Sequence, residues 1–207
     1  MYAKFFKRFF DIILSAMAII VLSPVILIIA LLVRIQMGSP VIFGQERTGL
    51  NEKTFKMYKF RSMTNKCDEN GKLLPDDQRL TKFGKFIRAT SLDELFELFN
   101  ILKGDLSIVG PRALLPEYLP YYTEEERKRH SVRPGLTPPE VLYDDIMPTW
   151  EKQFEYEVHY AENVTLWMDI KIIFATFKGL FLRNESDYGT YQRPYLSEER
   201  KDTISVK

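Results

Sequence analysis

Thr90–Arg112 reads TSLDELFELFNILKGDLSIVGPR, and these 23 residues bring together a helix start, adjacent carboxylates and a Gly-Pro-Arg turn. Ser91 stands where an N-cap is expected, and Glu94, three residues on, completes an S-x-x-E capping box. Leu92, Leu95, Phe96, Phe99 and Leu102 then recur at helical spacing, which predicts a helix with Asp93 and Glu94 in its first turn. Acids placed there complement the helix dipole, by about 0.3–1 kcal/mol each. One capping box needs only one acid, however. Two carboxylates at a helix start permit two roles, one attacking phosphorus while its neighbour holds a hard cation against the phosphate oxygens. Arg112 suits a bidentate grip on phosphate or an ordinary salt bridge.

Upstream, residues 12–33 (IILSAMAIIVLSPVILIIALLV) carry no charge. At about 1.5 Å per residue the 22 residues reach about 33 Å, enough to cross a hydrocarbon core. The run exceeds a signal-peptide core and ends at Arg34 without a small-residue cleavage site. Ser23-Pro24 lies near its middle, where proline removes a helical donor and Ser23 can bond the freed backbone. Two readings stay open, a kinked spanning helix or two half-helices that enter and leave one leaflet. Lys4, Lys7 and Arg8 before the segment, and Arg34, Arg47, Lys53, Lys56 and Lys59 after it, favour one cytoplasmic side for both ends.

Next, PVIFGQERTG and KTFKMYKFRSM are β-rich runs around the turn-like Gly49-Leu50-Asn51, which predicts a hairpin. On its second strand Lys59 and Arg61 alternate with Tyr58 and Phe60, and the two cations suit phosphate or a solvated face. Residues 62–80 read as a mobile excursion, and TKFGKFIRAT as an amphipathic element suited to a membrane interface. Beyond Arg112, prolines break the chain repeatedly. Residues 123–130 read as a charged, solvated helix with His130 at the surface, and Arg133-Pro134-Gly135 as a rigid turn carrying a cation. Tyr156–Leu182 is helical in periodicity, with Val164, Trp167, Ile170, Phe174, Phe177 and Phe181 on one face. Trp167 and Lys178 suggest partial membrane contact, and the tail after Asn184 reads as polar and loosely ordered.

The net charge of +1 hides an asymmetry: residues 1–89 hold 15 Lys/Arg against 7 Asp/Glu, residues 90–207 hold 14 against 21. The basic half suits an anionic surface or phosphate ligand, and without a nucleic-acid motif no nucleic-acid partner is expected. The lone Cys67 excludes an internal disulfide.

The motifs KRFFDIILS with Ser23-Pro24, GSPVIFGQERTGLNEKTFKMYKFRSM, TKFGKFIRATSLDELFELFNILKGDLSIVGPR, VRPGLT and YAENVTLWMDIKII, over about residues 4–182, resemble the bacterial sugar transferase family. Within it the chain looks like the monotopic phosphoglycosyl transferases of the small PglC type. The resemblance implies an α+β fold, a mainly helical membrane-associated domain with a small β-hairpin and an N-terminal re-entrant membrane helix hairpin broken at Ser23-Pro24. It divides the chain into an anchor (1–36), a catalytic domain (37–183) and a polar tail (184–207). The implied reaction is that of a polyprenyl-phosphate phosphoglycosyl transferase. A phosphosugar passes from a UDP-sugar to undecaprenyl phosphate with release of UMP, at the cytoplasmic face of the bacterial inner membrane, with Mg²⁺ required. Asp93 becomes the nucleophile of a covalent phosphosugar intermediate, Glu94 its partner in holding the metal or handling a proton, and Lys59, Arg88, Arg112 and Arg133 the substrate-binding cations. Implied partners are membrane lipid and downstream glycosyltransferases. After Arg133-Pro-Gly-Leu-Thr the family commonly continues Gly-aromatic-Ala-Gln, whereas this chain has Pro138-Pro139-Glu140-Val141. Two rival readings are a membrane scaffold without catalysis and a direct ternary-complex transferase in which Asp93 binds only metal.

Overall fold

The computed structural model describes residues 2–143, 148–182 and 193–201, and expectations for Asn184–Gln192, for 202–207 and for the side chains of Lys4 and Phe181 lie outside it. A long helix, α1 (Lys7–Met37), leads into an antiparallel hairpin of β1 (Ile42–Thr48) and β2 (Thr54–Phe60), in register from Ile42 opposite Phe60 to Thr48 opposite Thr54. Residues 62–80 fold back on themselves through bridges between Met63 and Leu80 and between Cys67 and Leu73, and include the short α2 (Asp76–Arg79). Then come α3 (Lys82–Ala89), a 3-10 turn (Leu92–Phe96) and α4 (Glu97–Lys103). β3 (Ser107–Val109), α5 (Glu124–Arg127) and β4 (Gly135–Thr137) follow, and β3 pairs in parallel with β4. α6 (Trp150–Glu162), α7 (Leu166–Leu182) and α8 (Leu196–Glu199) complete the order.

α1 is helical without interruption through Pro24. The Ser23 hydroxyl donates to the Ile20 carbonyl at 2.8 Å, which uses local backbone acceptors beside the amide that proline lacks. One stripe of α1 packs on the body: Lys7, Asp11 and Ser15 are buried near the start, Ala18, Ile19 and Leu22 are half-buried in the middle, and Ile26, Ile29, Val33 and Met37 are buried towards the end. The other flank leaves Ile20, Val21, Leu27, Leu31 and Ile35 at least 60% exposed, an apolar surface that water penalises. Both ends are tied to the same body. Lys7 donates to Asp169 at 2.7 Å, and Asp11 accepts from Ser107 and from the Ile108 amide; at the far end Arg61 donates to the Met37 and Ser39 carbonyls. Arg61, expected on a strand face towards phosphate or solvent, is therefore spent on capping α1, because the last carbonyls of a helix lack internal partners.

The helical stretch expected over Tyr156–Leu182 is two helices. Asn163 closes α6 through amide bonds to His159 and Tyr160, and the Thr165 hydroxyl accepts from the Met168 amide to start α7. His130 and Arg129 are buried, not solvated: Arg129 pairs with Glu157 at 2.6 Å with both side chains at most 1% exposed, and His130 stacks edge-on to Tyr122. Within the expected tail the described residues 193–201 depart from expectation, since Leu196 is fully buried against Tyr118, Tyr122, Trp150 and Phe154. Burying that side chain favours order over a solvated tail.

Candidate active site

The carboxylates sit where β2, α3 and α4 converge on the flank of α1. Phe60, Ile87, Ile29 and Val33 form a core against which Leu92, Leu95 and Phe96 pack, so the apolar members of the LDELF turn fix the direction of its acidic ones. Asn100 pins α4 to β2: its side chain accepts from the Tyr58 amide at 3.0 Å and donates to the Lys56 carbonyl at 2.8 Å. α3 is held as closely, because Gly84 lies where a Cβ would stand 1.9 Å from the Ser62 carbonyl oxygen. That approach lets Arg88, at the end of α3, donate to the Ser62 hydroxyl at 2.8 Å.

The expected capping box at Ser91 does not form. Ser91 has φ of +55°, in the left-handed region, and its hydroxyl caps nothing; the backbone reverses there between α3 and the 3-10 turn. An N-cap serine needs an extended backbone, so this conformation removes the cap, and Glu94 is free to turn elsewhere. It accepts from Lys59 at 2.7 Å, while Glu97 lies 3.1 Å from the same ammonium. Lys59, Glu94 and Glu97 thus form one cluster, with Asp93 buried beside it at 8% exposure. Burial, and then the charge of Glu94, push the Asp93 carboxyl up to about 6, with Lys59 and Arg88 pulling it back. Burial also pushes Glu97 upwards against the opposing pull of Lys59. For Lys59 burial disfavours the charge, but Glu97 and Glu94 outweigh it and hold the ammonium above its ordinary range. Glu97 joins the adjacent acid pair that the sequence marks, and its i+3 spacing from Glu94 is the local signal for it, since that spacing places both on one helix face.

Arg112 stands in the Gly110-Pro111-Arg112 turn. Its amide donates to Glu157 at 2.9 Å, its carbonyl accepts from Arg129 at 2.6 Å, and its guanidinium Nε donates to Glu140. That turn is packed backbone to backbone on Arg133-Pro134-Gly135, where a Cβ on Gly135 would stand 2.0 Å from the Gly110 nitrogen. Arg133 itself points elsewhere. Its Nε donates to the Gly104 carbonyl, beside Arg8, which donates to the Ile101 and Leu102 carbonyls at the C-terminal end of α4. Of the expected cations, Lys59 bonds Glu94, Arg88 and Arg112 bear on Asp93 and Glu94 through charge alone, and Arg133 is bonded at the opposite end of α4. Ser23 and Pro24 lie in α1, away from this cluster in sequence and on the apolar anchor.

Among the described residues no three His, Cys, Asp or Glu side chains stand close enough to cage a metal ion. The donor set still suits Mg²⁺, which takes one or two carboxylates and completes its shell with water and substrate phosphates. Asp93 and Glu94 are the residues that would hold it.

The family profile for bacterial sugar transferases matches residues 2–183. The chain is 44% identical over 94% of its length to the "uncharacterized sugar transferase EpsL" of Bacillus subtilis, 94% of which is covered. It is 41% identical over 88% of its length to the UDP-glucose:undecaprenyl-phosphate glucose-1-phosphate transferase of Klebsiella pneumoniae, and 36% identical over 90% to the undecaprenyl-phosphate galactose phosphotransferase of Salmonella typhimurium. It spans about two-fifths of the length of those last two, 41% and 42%.

Proposed function

Because the chain belongs to the bacterial sugar transferase family, we propose that it moves a phosphosugar from a UDP-sugar to undecaprenyl phosphate at the membrane surface and releases UMP. The observation that carries this reading is a buried Asp93 flanked by the charges of Lys59 and Arg88, beside a helix with an exposed apolar flank. A carboxylate so placed is an oxygen nucleophile, and the cations around it neutralise phosphate charge. An Asp93 oxygen attacks the β-phosphorus of the UDP-sugar, the bond to the bridging oxygen breaks, and UMP leaves with the electron pair. The aspartyl phosphosugar is then attacked at the same phosphorus by a phosphate oxygen of undecaprenyl phosphate. The acyl-phosphate bond breaks and the Asp93 carboxylate is restored. Glu94 accepts the proton that the acceptor phosphate gives up, and Lys59 holds Glu94 in place. Asp93 and Glu94 would hold Mg²⁺, which would supply charge neutralisation at the diphosphate.

The membrane part of the proposal is a re-entrant anchor. Both ends of α1 are held by one body, Lys7 by Asp169 and Met37 by Arg61, which supports a helix that enters and leaves through one face and bends at Ser23-Pro24 in the leaflet. The domain then lies on the cytoplasmic face of the inner membrane, where its water-soluble donor, its lipid acceptor and later glycosyltransferases meet.

The test is UMP release by detergent-purified protein given Mg²⁺ and a panel of UDP-sugars, with and without undecaprenyl phosphate. Acceptor-dependent turnover that disappears in Asp93→Asn is the expected result, together with a phosphosugar adduct trapped on the wild type in a single turnover. Turnover without any adduct replaces the two-step route by a direct ternary complex. Silence of the folded protein across the panel points to a non-catalytic scaffold.

A further inference from the structure

Glu140 has no part in the transfer just described, yet it is only 5% exposed and bonded to Arg112, whose side chain is 55% exposed. We propose that Glu140 is a positioning residue that holds Arg112 by its Nε, so that the two terminal amino groups face the donor's diphosphate. The inference rests on the reading of Arg112 as a phosphate grip.

Three observations carry it. The Arg112 backbone is fixed from both sides, by Glu157 at its amide and Arg129 at its carbonyl, so the remaining freedom is the side chain's, and Glu140 removes it. Glu140's side chain has Arg112 as its sole side-chain partner among the described residues, and its Oε2 is buried without a hydrogen bond. A half-satisfied buried carboxylate is costly to the fold, and an apolar residue of similar volume fills such a place at less cost. The carboxylate therefore answers to Arg112 and not to packing. Finally, Pro138 and Pro139, with fixed φ, lead into the 3-10 turn Pro139–Tyr143 that delivers Glu140, so the acid arrives on a stiff segment.

The experiment is a double-mutant cycle of Glu140→Ala and Arg112→Ala. It is read on the UDP-sugar that turns over in the panel, UDP-glucose being tried first. Glu140→Ala is expected to raise the KM for the UDP-sugar by about tenfold or more, with a smaller change in kcat and none in the KM for undecaprenyl phosphate. Glu140→Gln, which keeps the acceptor, should stay within about threefold of wild type, and the double variant should be no worse than Arg112→Ala alone. Losses that multiply in the double variant, or a Glu140→Ala protein with an unchanged KM, overturn the proposal. If Arg112→Ala behaves as wild type, the phosphate role of Arg112 falls and the inference falls with it; a defective Arg112→Ala beside a normal Glu140→Ala removes the inference alone. Melting curves separate lost positioning from lost folding, and Glu140→Leu, of similar size without an acceptor, replaces an alanine variant that does not fold. Should no sugar turn over, the same proteins are titrated with UDP, and equal affinity in all of them overturns the proposal.

Discussion

Asp93 feels two opposed influences, and the balance is testable by pH. Its carboxyl stands at about 6 because burial and Glu94 outweigh Lys59 and Arg88. A nucleophilic Asp93 must be ionised, so kcat/KM should fall as pH drops through about 6. Lys59→Met removes a stabilising cation and should move that acid limb to higher pH; Glu94→Gln removes a repelling anion and should move it lower. Opposite displacements in the two pH profiles check the assignment, and a shared direction contradicts it. The same balance costs stability. Asp93 has a raised folded-state pKa, so its stabilising share is fully present below the unfolded value and is lost as pH rises through about 6. Asp93→Asn should therefore stabilise the fold by on the order of 1–3 kcal/mol above pH 6, and by little at pH 4, in urea unfolding followed across that range. At this scale the adjacent acids were legible from LDEL alone. The failure of the capping box was not, because a left-handed Ser91 follows from how α3 meets the next turn, which no local spacing encodes.

At the scale of elements, α1 is the feature that periodicity and composition revealed most directly and its neighbours shaped most. Its 31 residues are apolar enough to cross a membrane, yet both ends are tied to one body. In a Cys67→Ser background, single cysteines at Ala3 and Ser39, both exposed, should react with an impermeant thiol reagent from the cytoplasmic face only. Labelling of the two positions from opposite faces would mean a spanning helix. The anchor's start also carries a buried pair, Lys7 with Asp169, whose side chains are 11% and 6% exposed. Tyr2 and Tyr160 donate to the same carboxylate at 2.6 Å each. Lys7→Met leaves that charge without its counter-ion and should cost about 3–5 kcal/mol, measured as a loss of thermal stability in detergent. The hairpin and α3 were legible from their turn residues and amphipathic spacing. The break at Asn163–Thr165 was missed because the apolar period continues across it.

Over the whole molecule, distant segments converge on the Arg112 turn. Arg193 stacks on Trp150 and donates to Gln153; Gln153 donates to Glu157, which pairs with Arg129 and accepts the Arg112 amide. Leu196 seals this side of the core, and Leu196→Ala should cost about 2–5 kcal/mol by denaturant unfolding, since it leaves a cavity between Trp150 and Phe154. A cost below about 0.5 kcal/mol would show that the segment is not docked in solution. The amino-acid sequence by itself determined the apolar anchor, the hairpin, the Asp93-Glu94 pair and the family, since each is written in residues adjacent or regularly spaced along the chain. The tertiary structure alone decided that Glu97 shares Lys59 with Glu94, that Glu140 meets Arg112, that Arg61 and Arg133 serve helix ends, and that His130 is interior. Those outcomes depend on which segments, dozens of residues apart, the buried stripe of α1 and the packing of α6 bring together, and pairing at that range leaves no local pattern to read.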